Sequence, residues 1–485
     1  MQINFDYSLE PGKELKNKEY DWNMKDPEIS IIMPFYNDKT YIEQSVNSVL
    51  NQTFPCFELL IIDDGSTDKD SLKKLEEVKK LDSRIKVFHK ENGGPSEARD
   101  FGVSKTNTNS KYLIFVDSDD LLDATFVECA YWTIKTNEDA SWAYTDTVGF
   151  EKTEYTWNKW FNSEKMKKDN ELTLTAMIKK SDFLEVNGFN LKEKSVYEDW
   201  NLWLKLIAKE KFPVRMNYYG FWYRRKKESE SERAKSNASR AMEIVKKTAE
   251  DIHEVVEAKQ YPGFYYNWDI MNDYIENDYQ VKKKNKTNIL FILPCVKEIS
   301  KQETNIDFLK KIDDKTFDIT VVYTEPSNSN IKRLKNKNIT VYDLTTFLDQ
   351  KYWLNFILYL VEKNNLHAVI NVDGQIGNSM LPYIKSQYPE LPLLAYTLTT
   401  DKESDSEYTK TIINNKITNI KKIKNISEDI KQYLNKTSKE IVKKGYALQR
   451  NKDVCKELLT KVLETIEEDY KLKCDEYNEL FGYKK

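Results

Sequence analysis

Lys111-Tyr-Leu-Ile-Phe-Val-Asp-Ser-Asp-Asp120 is the stretch whose reading decides the fold. From Tyr112 to Val116 it is an unbroken apolar run, the pattern of a strand buried on both faces of a parallel sheet. The run ends in Asp117, Ser118, Asp119 and Asp120, so two or three carboxylates arrive together at a strand's carboxyl end. Open α/β sheets bind ligands at those ends. Crowded carboxylates repel one another unless something positive joins them, and a divalent cation carrying a phosphate group is the economical partner. An Asp-x-Asp triplet alone is a weak signal in an Asp-rich chain. Its place after a strand, and what surrounds it, give it weight.

Upstream, apolar runs alternate with helical spacing. Ile29 to Met33 reads as a strand stopped by Pro34, and Tyr41 to Leu50 as a helix with Ile42, Val46, Val49 and Leu50 on one face. Phe57 to Ile62 is a second strand, Asp70 to Leu81 a charged helix, and Ile85 to Phe88 a third strand. Gly93-Gly94-Pro95-Ser96 opens a helix through Ala98, Arg99 and Val103, with Ser96 the expected N-cap. This alternation predicts a largely parallel sheet with right-handed crossovers. Downstream, Tyr197-Glu198-Asp199-Trp200 begins a helix that buries Leu202, Trp203 and Leu206.

The carboxyl ends of these strands collect a set of complementary groups. Pro34, Phe35 and Tyr36 offer an aromatic shelf for a flat ring, and Asp64 an acceptor for a base or ribose. Arg99 suits a phosphate, Asp117 and Asp119 a metal, and Asp199, beside Glu198, a general base. Together they fit transfer from a nucleotide-activated donor. Each also has a plainer reading: Asp63, Asp64 and Asp68 as turn residues, Asp199 as an N-terminal helix charge, Gly93-Gly94 as a tight turn. Trp200 and Trp203 read first as core, with Trp200 also a candidate sugar contact beside the base.

Six blocks carry a resemblance. They are Ser30-Ile-Ile-Met-Pro-Phe-Tyr-Asn37, Ser48-Val-Leu-Asn-Gln-Thr-Phe54, Ile62-Asp-Asp-Gly-Ser-Thr-Asp68, Gly94-Pro-Ser-Glu-Ala-Arg-Asp100, Phe115-Val-Asp-Ser-Asp-Asp120 and Glu198-Asp-Trp-Asn-Leu-Trp203. In this order they resemble a family 2 glycosyltransferase with the GT-A fold. The resemblance implies a UDP-sugar donor, with Pro34 and Tyr36 bordering the uracil, Asp64 on its N–H edge and Arg99 near the base or diphosphate. It implies Mn²⁺ or Mg²⁺ held by Asp119 with Asp117, nucleotide-sugar contacts extending to Ser118, Glu198 and Trp200, and Asp199 as base in an inverting displacement. Relatives often carry a His just beyond the Tyr223-Arg224 pair. Lys226-Lys227-Glu228-Ser229 stands there instead, so either a cation replaces that function or water and phosphate complete the metal's shell. The Q-x-x-R-W signature of processive synthases is missing, which favours addition of one sugar or a few.

Composition bounds the remaining classes. The 485 residues suffice for two to four domains. A net charge of −4 and a pI near 5.8 give no basic field for nucleic acid, and 32% charged residues with mean hydropathy −0.70 favour solubility. No apolar stretch approaches the ~18–20 residues that span a bilayer, and Met1-Gln-Ile-Asn-Phe-Asp6 lacks the features of a signal peptide. Five cysteines without C-x-x-C spacing read as reduced thiols. A cytoplasmic protein follows, with peripheral membrane association and homo-oligomerisation left open. The acceptor expected is a bacterial surface glycan, a lipid-linked precursor or a protein. A degenerate glycan- or partner-binding protein and a nucleotidyltransferase are the alternatives.

A second alternating unit begins at Thr287, with strands expected at 288–293, 317–322, 339–342, 368–372 and 391–395. It reads as a Rossmann-like sheet and loosely resembles one half of a GT-B glycosyltransferase, with Ile426-Ser427-Glu428 where such halves often have a Ser-Glu pair. Its first strand ends in Leu293-Pro-Cys-Val rather than G-x-G-x-x-G, so a dinucleotide is not expected. Asp373-Gly374-Gln375-Ile376-Gly377 is its candidate pocket turn. The expected organisation is an arm (1–27), a GT-A catalytic domain (28–225), a helical linker (226–284), a Rossmann-like accessory domain (285–400) and a helical extension (401–485).

Overall fold

The computed structural model describes residues 11–12, 27–157, 160–189, 197–226, 238–259, 261, 286–295, 298–300, 303–304, 309, 312, 316–326, 339–372, 374–396, 418–420 and 456–481. The chain falls into two compact units that part near residue 263. The first comprises β1 (Ile29–Phe35), α1 (Ile42–Leu50), β2 (Phe57–Asp63), α2 (Lys69–Val78), β3 (Ile85–His89), α3 (Pro95–Ser104), β4 (Tyr112–Phe115) and β5 (Leu121–Leu122). It continues with α4 (Phe126–Lys135), β6 (Ala140–Glu151), β7 (Tyr155–Trp157), α5 (Ser163–Met166), β8 (Ala176–Lys179), α6 (Lys180–Glu185), α7 (Glu198–Ala208), β9 (Phe212–Arg225) and α8 (Ala238–Glu250).

Nine strands form one sheet in the order β3-β2-β1-β4-β8-β6-β9-β5, with β7 paired to β6. The first four are parallel, and the apolar runs of β1, β2 and β4 are buried because helices cover both faces: Ile29, Ile31, Ile32 and Met33 of β1 and Leu59 to Ile62 of β2 are all inaccessible, while β3 at the edge buries only Ile85. Register aligns Phe35 with Asp63 and Ile32 with Phe115, so β1, β2 and β4 end at one edge. β8 then runs antiparallel to β4, β6 antiparallel to β8, and β9 parallel to β6. Two reversals restore the original direction. The carboxyl end of β9 therefore returns to the edge where β4 delivers its carboxylates, an arrangement the expectation of a largely parallel sheet did not contain.

Two local expectations are corrected. Ser96 lies inside α3 rather than capping it: the N-cap is Gly94 at φ +94°, with Pro95 following in the first turn, where its missing N–H costs nothing. Residues 238–259 and 261 are not a spacer in their described part. Val245, Ile252 and Ala258 are buried in the cluster that holds Trp142, Trp200, Trp203 and Phe161, and Thr248 Oγ1 donates to Asn201 on α7 at 2.9 Å. An apolar stripe on a charged helix carries this segment back onto the domain. Trp142 of β6 and Trp203 of α7 stack at 5.0 Å between centroids.

The second unit, described by itself, comprises β10 (Thr287–Leu293), the short pair β11 (Glu298–Ser300) and β12 (Glu303–Thr304), β13 (Phe317–Tyr323), β14 (Ile339–Asp343), α9 (Trp353–Lys363), β15 (Ala368–Val372), α10 (Gln375–Gln387), β16 (Leu393–Tyr396), β17 (Thr418–Ile420) and α11 (Lys456–Phe481). Its six-stranded sheet is parallel throughout in the order β14-β13-β10-β15-β16-β17, the doubly wound arrangement. β17 falls where only helix was expected. Trp353 of α9 meets Tyr470 of α11 edge to face at 4.8 Å. Asp373, Ile426, Ser427, Glu428, Lys227, Glu228, Ser229 and the 1–10 and 13–26 parts of the arm lie outside the described residues. Cys56, Cys129 and Cys295 are free thiols. Among the described residues no helix is long and apolar enough to cross a membrane.

Candidate active site

The aligned strand ends gather most of the residues singled out above. Tyr36, just beyond β1, is 44% exposed, and Pro34 is partly buried behind it. Asn37, at φ +51°, ties the β1 end to the β2 end: its side-chain oxygen accepts from the Thr67 and Asp68 N–H groups at 2.9 Å each. Among the three acids there, Asp63 accepts from Ser66 N–H at 3.0 Å and faces His89 Nδ1 at 2.8 Å, while Asp68 caps α2 through Ser71 N–H at 3.1 Å. Those two are structural.

Asp64 is buried and held differently. Its Oδ1 accepts from Lys90 Nζ at 2.8 Å and Gly93 N–H at 2.9 Å, and its Oδ2 from Gly94 N–H at 2.7 Å. The Gly93-Gly94 turn thus grips a protein carboxylate, and the left-handed φ of Gly94 is what lets consecutive N–H groups converge on it. A carboxylate has about four lone-pair sites, which leaves Oδ2 one for a further donor.

Arg99 joins the two halves of the site. Its Nη2 donates to Asp117 Oδ1 at 2.5 Å and its Nη1 to Glu198 Oε1 at 3.0 Å. With 3% of its side chain exposed, the guanidinium is a strut between the β4 end and the start of α7. The two carboxylates raise its pKa against the opposing effect of burial. Both terminal nitrogens engage protein acids, so the expected open phosphate contact is not what this arrangement presents.

Asp117, Asp119 and Asp120 bring one carboxylate oxygen each to within 4.8 Å of one another. This all-oxygen donor set fits a hard divalent cation. The three acids differ in environment. Asp117 is 41% exposed, Asp119 23% exposed, and Asp120 buried, accepting from Arg224 N–H at 2.8 Å. Burial, then the neighbouring acids, push Asp120 well above the usual carboxylate range. Burial also raises Asp119, opposed by Lys226. Ser118 is buried between them.

The base candidate sits on α7. Asp199 Oδ1 accepts from the Trp200 N–H at 2.7 Å and Oδ2 from Asn170 Nδ2 at 3.0 Å. Burial, then the Glu198 charge, raise its carboxyl from 3.8 to about 6. That value suits a group that must take a proton near neutrality. Trp200 goes with the core: it is 5% exposed, and its indole N–H donates to the Met166 carbonyl at 2.6 Å. The sugar contact considered for it loses its support.

Three further residues close the site: Arg224, which the sequence offers as a diphosphate contact or part of a solvated basic run, Lys226, signalled in the sequence only by the departure after Arg224, and Asp38, which was not singled out. Lys226 Nζ lies 2.7 Å from Asp119 Oδ2 and 2.9 Å from Asp38 Oδ2. It stands just beyond the Tyr223-Arg224 pair, where the resemblance implied a His. Arg224 braces the same corner, donating to the Asp119 carbonyl and the Gln44 side chain at 2.6 Å each and lying 4.3 Å over the Tyr41 ring. The departure after Tyr223-Arg224 was the available signal for Lys226. Nothing in the sequence pointed to Asp38.

Residues 30–200 match the sequence model of Glycosyl transferase family 2. An uncharacterized glycosyltransferase of Rickettsia conorii is 48% identical over 98 residues, 20% of this chain and 16% of that protein. The minor teichoic acid biosynthesis protein GgaA of Bacillus subtilis is 42% identical over 106 residues, 21% of this chain and 24% of that one. The matched part thus spans less than a quarter of either relative. Among solved structures, S. aureus TarS 1-349 in complex with UDP-GlcNAc aligns with TM-score 0.39 and 19% identity, over 45% of this chain and 65% of that one. With the strand-end acids, the Arg99 strut and the α7 carboxylate in the order the six blocks require, residues 30–200 of this chain are a family 2 glycosyltransferase domain of GT-A type.

Proposed function

We propose that the first unit transfers a sugar from a UDP-sugar to an acceptor hydroxyl with inversion, aided by Mn²⁺ or Mg²⁺. The observation that carries the reading is Arg99, which couples the acidic strand end, through Asp117, to the helix bearing the base, through Glu198. In this reading Asp199, the neighbour of Glu198 on α7, serves a donor whose diphosphate is held by Asp117 and Asp119. Tyr36 and Pro34 border the base ring, and the open lone pair of Asp64 accepts its N–H.

In the reaction the acceptor oxygen bonds to the anomeric carbon as the bond from that carbon to the UDP oxygen breaks. The acceptor's proton passes to Asp199. A hydroxyl is a poor nucleophile at neutral pH, so a carboxylate raised to about 6 aids its removal as the bond forms. A divalent cation bound at the acidic cluster supplies charge stabilisation for the departing diphosphate. The transition state resembles an oxocarbenium ion, as in other inverting sugar chemistry.

The acceptor in this reading is a cell-surface glycan or its lipid-linked precursor, reached from the cytoplasm; similarity to a teichoic acid biosynthesis protein supports that direction. The second unit is an accessory module that docks the acceptor or supports oligomerisation. UDP release from a panel of UDP-sugars with Mn²⁺, beside Asp119→Ala, tests the reading. Slow turnover of one donor, lost in the variant, is expected. No turnover and no binding of any UDP-sugar overturns it.

A further inference from the structure

Positive groups already accompany the acids of the cluster, but they are not alike. Arg99 is buried, gripped at both ends by Asp117 and Glu198, and cannot leave without stranding two carboxylates. Lys226 is the movable one. Its side chain is 28% exposed, and its ammonium sits on a flexible four-carbon stem at the end of β9. It has two anchors, Asp119 at 2.7 Å and Asp38 at 2.9 Å, and lies 4.8 Å from the Tyr41 ring centre. A metal about 2.1 Å from the oxygen that Lys226 holds would stand within about 5 Å of the ammonium. Two cations that close compete for one carboxylate.

We propose that Lys226 is a tethered competitor for the divalent cation: it holds Asp119 and, when the donor binds, moves onto the diphosphate oxygens, freeing Asp119 for the metal. The proposal rests on the metal-assisted reading given above and adds order to it. Asp38 is the pivot, keeping the ammonium within reach of both positions. Metal and nucleotide then bind cooperatively, each raising the affinity of the other by the same factor, because the same side chain must move for both. A free metal without nucleotide meets a guarded site.

The test is Mn²⁺ binding, read from loss of the free-ion paramagnetic resonance signal, with and without UDP. It compares the full chain with Lys226→Met, Lys226→Gln and Lys226→Arg, each first checked for folding by circular dichroism. Met and Gln should bind Mn²⁺ about tenfold or more tightly than wild type without UDP, the scale of one charge-assisted hydrogen bond. Their gain in Mn²⁺ affinity on adding UDP should shrink correspondingly, and Arg should behave as wild type. If wild type binds Mn²⁺ with UDP but Met and Gln are no tighter without it, Asp119 serves both cations through its two oxygens. The proposal then falls while the transferase reading stands. UDP held without metal and released by Lys226→Met would make Lys226 a permanent replacement for the metal and also overturn it. No Mn²⁺ binding by any folded protein, with or without UDP, removes the metal-assisted reading and the proposal together.

Discussion

Arg99 and Glu198, 99 residues apart in the chain, meet at 3.0 Å, and the other terminal nitrogen of the same guanidinium holds Asp117 at 2.5 Å. Helix α7, which bears Asp199, is thereby indexed to the acidic strand end. Replacing Arg99 by Met leaves Glu198, 16% exposed, and the more open Asp117 without their partner, and about 1–3 kcal/mol of stability should be lost. Lys should not restore it, since one ammonium cannot present a fork to two carboxylates. Thermal or urea unfolding of both variants checks this. The double change Arg99→Met with Glu198→Gln should recover part of the loss, because the stranded charge is gone.

Asp199→Asn should separate activity from stability. Loss of the base should lower turnover by about 10²–10⁴-fold. The wild-type rate should rise with pH through about 6, as the carboxyl ionises. Because its folded pKa lies above the ordinary 3.8, the group's contribution to stability is complete below about pH 4 and is lost as pH rises through about 6. The ionised form is the unfavourable one in the fold. Asn should therefore raise the melting temperature at about pH 8 and not at about pH 4. A melting temperature that falls at both would refute it.

Gly102→Ala should destabilise, against helix propensity. Ala gains about 1 kcal/mol over Gly in a helix interior. Here a Cβ would sit 2.6 Å from Ile32 Cγ2 and 3.1 Å from Ile62 Cγ1, both on buried strands. Overpacking of this kind costs about 1–3 kcal/mol. Since α3 carries Arg99, pushing it off the sheet should also weaken UDP binding. Unfolding and a UDP titration on one sample report both effects.

A chain ending at residue 226 should fail to fold, whereas one ending at 263 should fold and keep donor hydrolysis. The difference is Val245, Ile252 and Ala258, which complete the cluster around Trp203. Limited proteolysis of the full chain should likewise spare residues 238–259.

The parallel half of the first sheet was legible because a strand covered on both faces must be largely apolar, and β1, β2 and β4 are, apart from Ser30, Glu58 and the terminal Asp63. The acids after β4 were legible for the same reason: polar residues can only follow where the strand leaves the core. What pattern did not give was partnership at long range. Lys226 meets Asp119 and Asp38 through the two reversals around β8, and no local signal encodes a reversal. Asp199 and Asp120 show no difference in sequence from solvated acids, and it is burial, then the neighbouring acids, that raises them. Trp200 carried two readings that its indole hydrogen bond to Met166 decides. The helix expected within the linker is present at Ala238–Glu250, but its charged outer face dominates its composition, so its packing on the domain through a few buried residues was not read.

The place of β9 in the sheet has a consequence for synthesis. It lies between β6 and β5, so Leu121 and Leu122 have no strand partner until Phe221 and Trp222 leave the ribosome. At about 5–20 residues per second, Asp119 and Asp120 wait roughly 5–20 s for Lys226 and Arg224. The nascent chain can assemble β1 to β4 early, yet it carries an unfinished sheet edge and uncompensated acids throughout that interval. Translational pausing between residues 122 and 221 would lengthen the exposure, and chaperone capture of this protein should concentrate in that window.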